Sequence, residues 1–161
     1  MRVTEVEIDE TIRRHLPGSA AEGAELAGVS SDDDPLKIVE AIQTFVADPP
    51  KRRWFKRVDN WTDRALPLGC LWGTQLERQF GWEWLQMIQH DHDDLKVMAV
   101  FDPRRTMGGY PFHYLFGCLE NGVYPTVLLA FNLLIASEIP DFEPGEYVNV
   151  MDGVQHIVPP R

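Results

Sequence analysis

Residues 66–102 read LPLGCLWGTQLERQFGWEWLQMIQHDHDDLKVMAVFD, and this stretch decides the fold. Leu68, Leu71, Trp72, Leu76 and Phe80 recur at offsets of three and four, one apolar face at the helical period. Gly69 and Gly73 stand beside that face. Each costs a helix roughly 1 kcal/mol relative to Ala, so the pair predicts close approach of another backbone. Pro67 suits a first turn and places the helix start near it, and Gly81 supplies the stop. The residues from Trp82 to Gln89 then alternate. Trp82, Trp84 and Ile88 point one way, Leu85 and Met87 the other, which predicts a strand covered on both faces. Leu95 to Phe101 alternates in the same manner. The short polar connection His90–Asp94 joins the two strands as an antiparallel hairpin over 82–102, and Pro103 ends the ladder.

Outward from this unit the chain has the size of one domain. Its 161 residues, 44% hydrophobic and 25% charged, fit a globular protein. A formal net charge of −10 argues against binding nucleic acid or an anionic membrane. The N-terminal MRVTEVEIDE lacks the apolar core of a signal peptide. The most apolar run, Val127–Ala136, is too short to span a bilayer core about 30 Å thick. The cytoplasm is therefore the expected compartment.

Thr4 and Glu7 have capping-box spacing, and Ile8, Ile12 and Leu16 follow at helical spacing up to Pro17-Gly18. Residues 19–34 are small, polar and acidic and read as a mobile loop, with a weak helical turn over 20–26. Asp34-Pro35 opens a helix whose inner stripe is Leu36, Val39, Ile42 and Phe45/Val46, and Pro49-Pro50 ends it. Lys51–Arg57 packs five basic residues into seven positions, a solvated connector or a counter-charge for the acidic C-terminal part. Phe112, Leu115, Phe116 and Leu119 form a helix between Pro111 and Asn121-Gly122. A further helix from Pro125 to about Glu138 is apolar nearly all round and is expected to be the most buried, with Asn132 on its inner surface. Two apolar runs flank Asp152-Gly153 and predict a second hairpin over 146–158. The order of helices, hairpin, helices, hairpin is an α+β pattern: one antiparallel sheet of about four strands packed against several helices.

The run LPLGCLWGTQLERQFGWEWLQM followed by PFHYLFGCLENG resembles a family of small bacterial domains of unknown function. In that family a Gly-containing helix leads into a Trp-bearing strand, and a Pro-Phe segment begins a later helix. Some compact bacterial proteins of this kind are immunity proteins that sit on a cognate toxin. The resemblance covers about residues 64–122 and rests on packing residues, so it implies a fold and carries no catalytic residue.

The chemistry-bearing residues form few constellations. His90 and His92, with Asp93 or Asp94, have ligand types at alternate strand positions, but a solvated turn uses the same residues, so no metal and no cofactor is expected. Cys70, near the expected helix N-terminus, could act as a nucleophile with His90, His113 or His156 as its base, which makes a small cysteine hydrolase the alternative function. It lacks the local signature of such enzymes and falls among core residues, as does Cys118, so buried free thiols are expected. Between Thr106 and Pro160 there is no Lys or Arg, whereas six acidic residues fall there. That asymmetry suits a non-enzymatic protein-binding domain, and the resemblance implies an immunity protein as its concrete form. Asp141, Phe142, Glu143, Glu146, Tyr147 and Asp152 would face a basic partner protein, with the aromatic pair as apolar anchors.

Overall fold

A computed structural model describes residues 2–50 and 60–155. Among the described residues five strands and six helices follow in the order β1 (Val3–Val6), α1 (Glu10–Ala27), α2 (Pro35–Ala47), α3 (Thr62–Phe80), β2 (Glu83–Gln89), β3 (Leu95–Phe101), β4 (Met107–Gly109), α4 (Pro111–Asn121), α5 (Val127–Ile135), β5 (Val148–Asn149) and α6 (Val150–Gln155). The class is α+β with a single sheet in the order β1-β2-β3-β4-β5. Among the described residues no helix is long and apolar enough to cross a membrane. The basic segment 51–57 and His156 lie outside the described residues.

The central hairpin forms in the register that its alternation requires. Trp84 faces Val100, Leu85 faces Ala99 and Met87 faces Val97. Trp82, Trp84 and Val100 turn to the helices, where they join the main core of α1–α6. Leu85, Met87, Val97, Ala99 and Phe101 form a smaller core on the opposite face, covered by Val3, Tyr110 and Tyr147. Both faces are thus apolar, as the alternation predicts.

Gly69 and Gly73 do admit close neighbours: the backbone and ring of Phe112 at Gly69, and an indole ring alone at Gly73. A Cβ on Gly69 would press into Phe112, and one on Gly73 would run into the Trp84 indole. Those two rings stack on one another, centroids 5.5 Å apart at an interplanar angle of 17°. The glycines therefore give α3 a flat shelf that receives one ring from α4 and one from β2. Trp72, 1% exposed, packs against Tyr114, and among the described residues its indole N–H has no hydrogen-bond partner.

Several elements depart from the expected ones. Thr4 does not cap a helix: Val3–Val6 pairs with β2 as β1, and α1 begins after Asp9, whose carboxylate accepts the Thr11 N–H at 2.8 Å. Pro17 does not end α1, which runs to Ala27, so residues 19–27 are helical and the connecting loop spans 28–34. The reason is tertiary. Gly23 and Ala24 are buried against α3, and Gly23 comes so close to the Pro67 carbonyl that a Cβ there would collide with it. Pro67 itself lies inside α3, which starts at Thr62. In α2 the inner stripe includes Ile38, while Leu36 is exposed. Helix α5 is not the most buried, since α3 holds more core residues, and Asn132 and Ile135 are exposed.

The second hairpin over 146–158 does not form within the described residues. Val148–Asn149 instead joins β4 as a parallel strand, which makes the sheet mixed, and residues 150–155 turn into α6. Val150, Met151 and Val154 are all buried. Their spacing suits one helical face as well as a strand, and packing chose the helix over the Asp-Gly turn.

The glycine shelf yields a test with opposite signs. Gly73→Ala should destabilise the fold by about 1–3 kcal/mol through overpacking against Trp84. Gly117→Ala, in α4 with nothing within 4 Å of its Cβ position, should stabilise it by about 0.5–1 kcal/mol through helix propensity. Urea denaturation of both variants measures the difference; equal effects would remove the shelf as an explanation.

Candidate functional site

The acidic C-terminal part is positioned by the turn that follows β3. Asp102 accepts the backbone N–H groups of Thr106 at 2.6 Å and Met107 at 3.1 Å, and Pro103 fits the turn so made. This exposes the carbonyls of Arg104, Arg105 and Thr106, which accept the N–H groups of Gly145, Tyr147 and Val148. Residues 145–148 are thereby laid along 104–106.

The six expected partner-binding residues then separate. Asp141, Glu143 and Glu146 are exposed, and the Glu146 carboxylate accepts the Glu143 backbone N–H at 3.2 Å. Phe142 and Tyr147 are half-buried, and Asp152 is exposed and accepts from the Asn149 amide at 3.1 Å. Among the described residues none of these four carboxylates forms an ion pair with a basic side chain. Nearby Arg105 is committed elsewhere, to Glu5 at 2.6 Å and to Glu83 at 2.8 Å.

Glu5 also accepts the Tyr147 hydroxyl at 2.8 Å. Burial alone would raise its carboxyl, but the bonds from Arg105 and Tyr147 and the Arg105 charge outweigh that and hold it below its ordinary value. Both donors have left-handed backbones, φ +57° at Arg105 and +53° at Tyr147. That conformation is strained for large side chains and persists where surrounding contacts hold it. Here two such residues, hydrogen-bonded to each other through their backbones, converge on one carboxylate.

Tyr147 and Asp152 also line a cleft of about 510 Å³ together with Tyr110, Tyr114, His92 and His113. Gln89 and Asn149 add amides to its wall. Tyr110 and Tyr147 each pack edge-on against Phe101, at 5.9 and 5.5 Å between centroids. Burial pushes all three phenols up, Tyr114 to about 12, so each is protonated at neutral pH. Burial also lowers His113, which favours its neutral form. Rings of this kind beside one carboxylate can hold a cationic or hydrogen-bonding group.

The other sequence candidates are dispersed. His90 is engaged at both ring nitrogens, with Thr4 at 2.8 Å and Asp94 at 2.5 Å, while His92 faces the tyrosine cleft. Among the described residues no group of three or more His, Cys, Asp and Glu side chains is arranged to hold a metal ion. Cys70 lies in the third turn of α3, not at its N-terminus, because the helix begins eight residues earlier. Burial and the Glu22 charge raise its thiol to about 11 against a hydrogen bond with Ser19, so it is a protonated thiol at neutral pH. It shares a second cavity with His15 and His113.

Tyr110 and Tyr114 carry no signal in the sequence that joins them to Tyr147, since they read as a loop residue and a helix position. The Glu5–Arg105 pair spans 100 residues, beyond any local pattern.

No family model matches the chain, and neither does any curated protein or solved structure.

A carboxyl held below its unfolded value stabilises the fold above the unfolded pKa, 4.5 for Glu, and ceases to as pH falls through the lower folded value. Arg105→Met should therefore destabilise the protein at pH 7 by about 1–2 kcal/mol, allowing for partial exposure of Glu5. The difference from wild type should shrink as the pH drops below 4.5. Denaturation at a series of pH values measures it; a constant difference down to pH 3 would place the effect in packing.

Proposed function

We propose that this protein is a non-enzymatic binding domain that meets a basic partner protein through Asp141, Phe142, Glu143, Glu146, Tyr147 and Asp152. The observation that carries the reading is electrostatic. The four carboxylates of this set are free of ion pairs among the described residues, while Arg105, whose backbone pairs with Tyr147, is bound to Glu5 and Glu83. The field of the four is therefore not neutralised by that guanidinium. A surface of one sign speeds encounter with a partner of the other, and the rate falls with salt.

Charge alone supplies rate more than lifetime, so apolar contact must accompany it. Phe142 and Tyr147 stand among the acids, and Ile135, 46% exposed, closes α5 just ahead of them. A toxin-neutralising immunity protein is the concrete form of this reading. Its target would present a basic face, and an enzyme that acts on nucleic acid has one by necessity.

The test takes the product of the adjacent gene as the candidate partner and measures association at two salt concentrations. The triple reversal Asp141→Lys, Glu143→Lys and Glu146→Lys should slow association by roughly tenfold at low salt and flatten its salt dependence. Unchanged rates would refute the acidic surface as the contact.

A further inference from the structure

We infer that the cavity between α1, α3, β3 and α4 is a binding site for a small amphipathic monocarboxylate, its chain in the apolar depth and its carboxylate on Lys96. The cavity holds about 380 Å³, within the range of about 300–1,000 Å³ usual for small-ligand sites. Its wall is apolar and drawn from four elements: Ile12 and Leu16, Leu66, Val97 and Met98, and Phe112. Leu66 is 44% exposed although its helix is otherwise the best buried, so one apolar side chain of the wall has little packed on it.

Lys96 selects the ligand's charge. Lys96, His15 and His113 line the cavity, and no Asp or Glu does, in a chain whose net charge is −10. Lys96 is exposed and forms no salt bridge among the described residues, although its charge is felt by Asp9. The Asp9 carboxylate is already bound as the cap of α1, to the Thr11 N–H. Lys96 is thus the one residue of the wall that carries a full positive charge without protonation of an imidazole. A single cation over an apolar cavity matches a single negative charge on an apolar body. A phosphate, with two charges and more acceptors, calls for further donors. The Cys70 thiol in the same wall is uncharged at neutral pH and does not repel an anion.

Octanoate, octylammonium and 1-octanol, titrated calorimetrically into the full chain, separate charge from chain length. Octanoate should bind at least roughly tenfold more tightly than octylammonium, the ratio of one charge-assisted contact. Its amide chemical-shift changes should centre on Lys96–Met98 and Phe112-His113. Lys96→Met should bring octanoate down to the affinity of octanol, and Thr11→Trp, at an exposed rim position, should weaken both. Octylammonium binding as tightly as octanoate, shifts centred elsewhere, or octanoate affinity unmoved by Lys96→Met would each overturn the assignment. The comparison of ligands on the unaltered protein decides the point even where a variant folds poorly.

Discussion

The stacked pair of Phe112 and Trp84 on the two glycines of α3 is the contact on which the architecture depends. Each ring belongs to a different element, and both need the same absence of side chains. Trp84 ties the sheet to α3, and Phe112 ties α4 to it. With these joints made, the face of α3 that carries Trp72 and Leu76 meets the remaining helices. A helix with two internal glycines is intrinsically weak, and α3 also contains Pro67. Its stability therefore comes from packing, which agrees with its being the most buried helix.

The opposite face of the sheet is held in another way. Met87, Ala99 and Phe101 are fully buried, and among the described residues the apolar side chains packed on their cluster come from Val3, Tyr110 and Tyr147. Tyr110 and Tyr147 cover them, and Tyr147 is anchored by Glu5, which Arg105 also grips. An apolar layer this thin needs a cover with fixed edges. The paired left-handed residues supply it by turning their side chains back onto β1. The same device leaves the exposed acids of 141–146 without Arg105 as a counter-ion, so the structural use of one guanidinium shapes the charge of the surface beside it.

The parts legible in the sequence were those in which one pattern excluded others. The hairpin over 82–102 has alternating residues with apolar groups on both faces, and the structure pairs it in that register. Helices α2 and α4 carry both a start and a stop signal, and both signals hold. The failures have a common cause. Pro17 stops a helix in isolation, yet contacts of Gly23 and Ala24 with α3 carry α1 past it. Asp152-Gly153 favours a turn, yet three buried residues at helical spacing prevail. The candidate site was visible as composition, six acids and no base, while its cleft was not. Tyr147 comes beside Tyr110 and Tyr114 where β5 pairs in parallel with β4, which no local pattern encodes.

The acidic surface and the cavity with basic lining can serve one small protein because screening keeps their fields apart. The Debye length at physiological ionic strength is about 8 Å, so exposed charges act mainly on what lies beside them. Net charge governs the approach of a macromolecule, whereas the few groups at a cavity's mouth govern what enters it. His113 and Val97 line both the tyrosine cleft and the apolar cavity, so the two share a wall. On one side of that wall stands Asp152 and on the other Lys96. The first favours cations, the second anions. A neutral imidazole is a fitting group to divide them, since burial disfavours its charged form and it biases neither side.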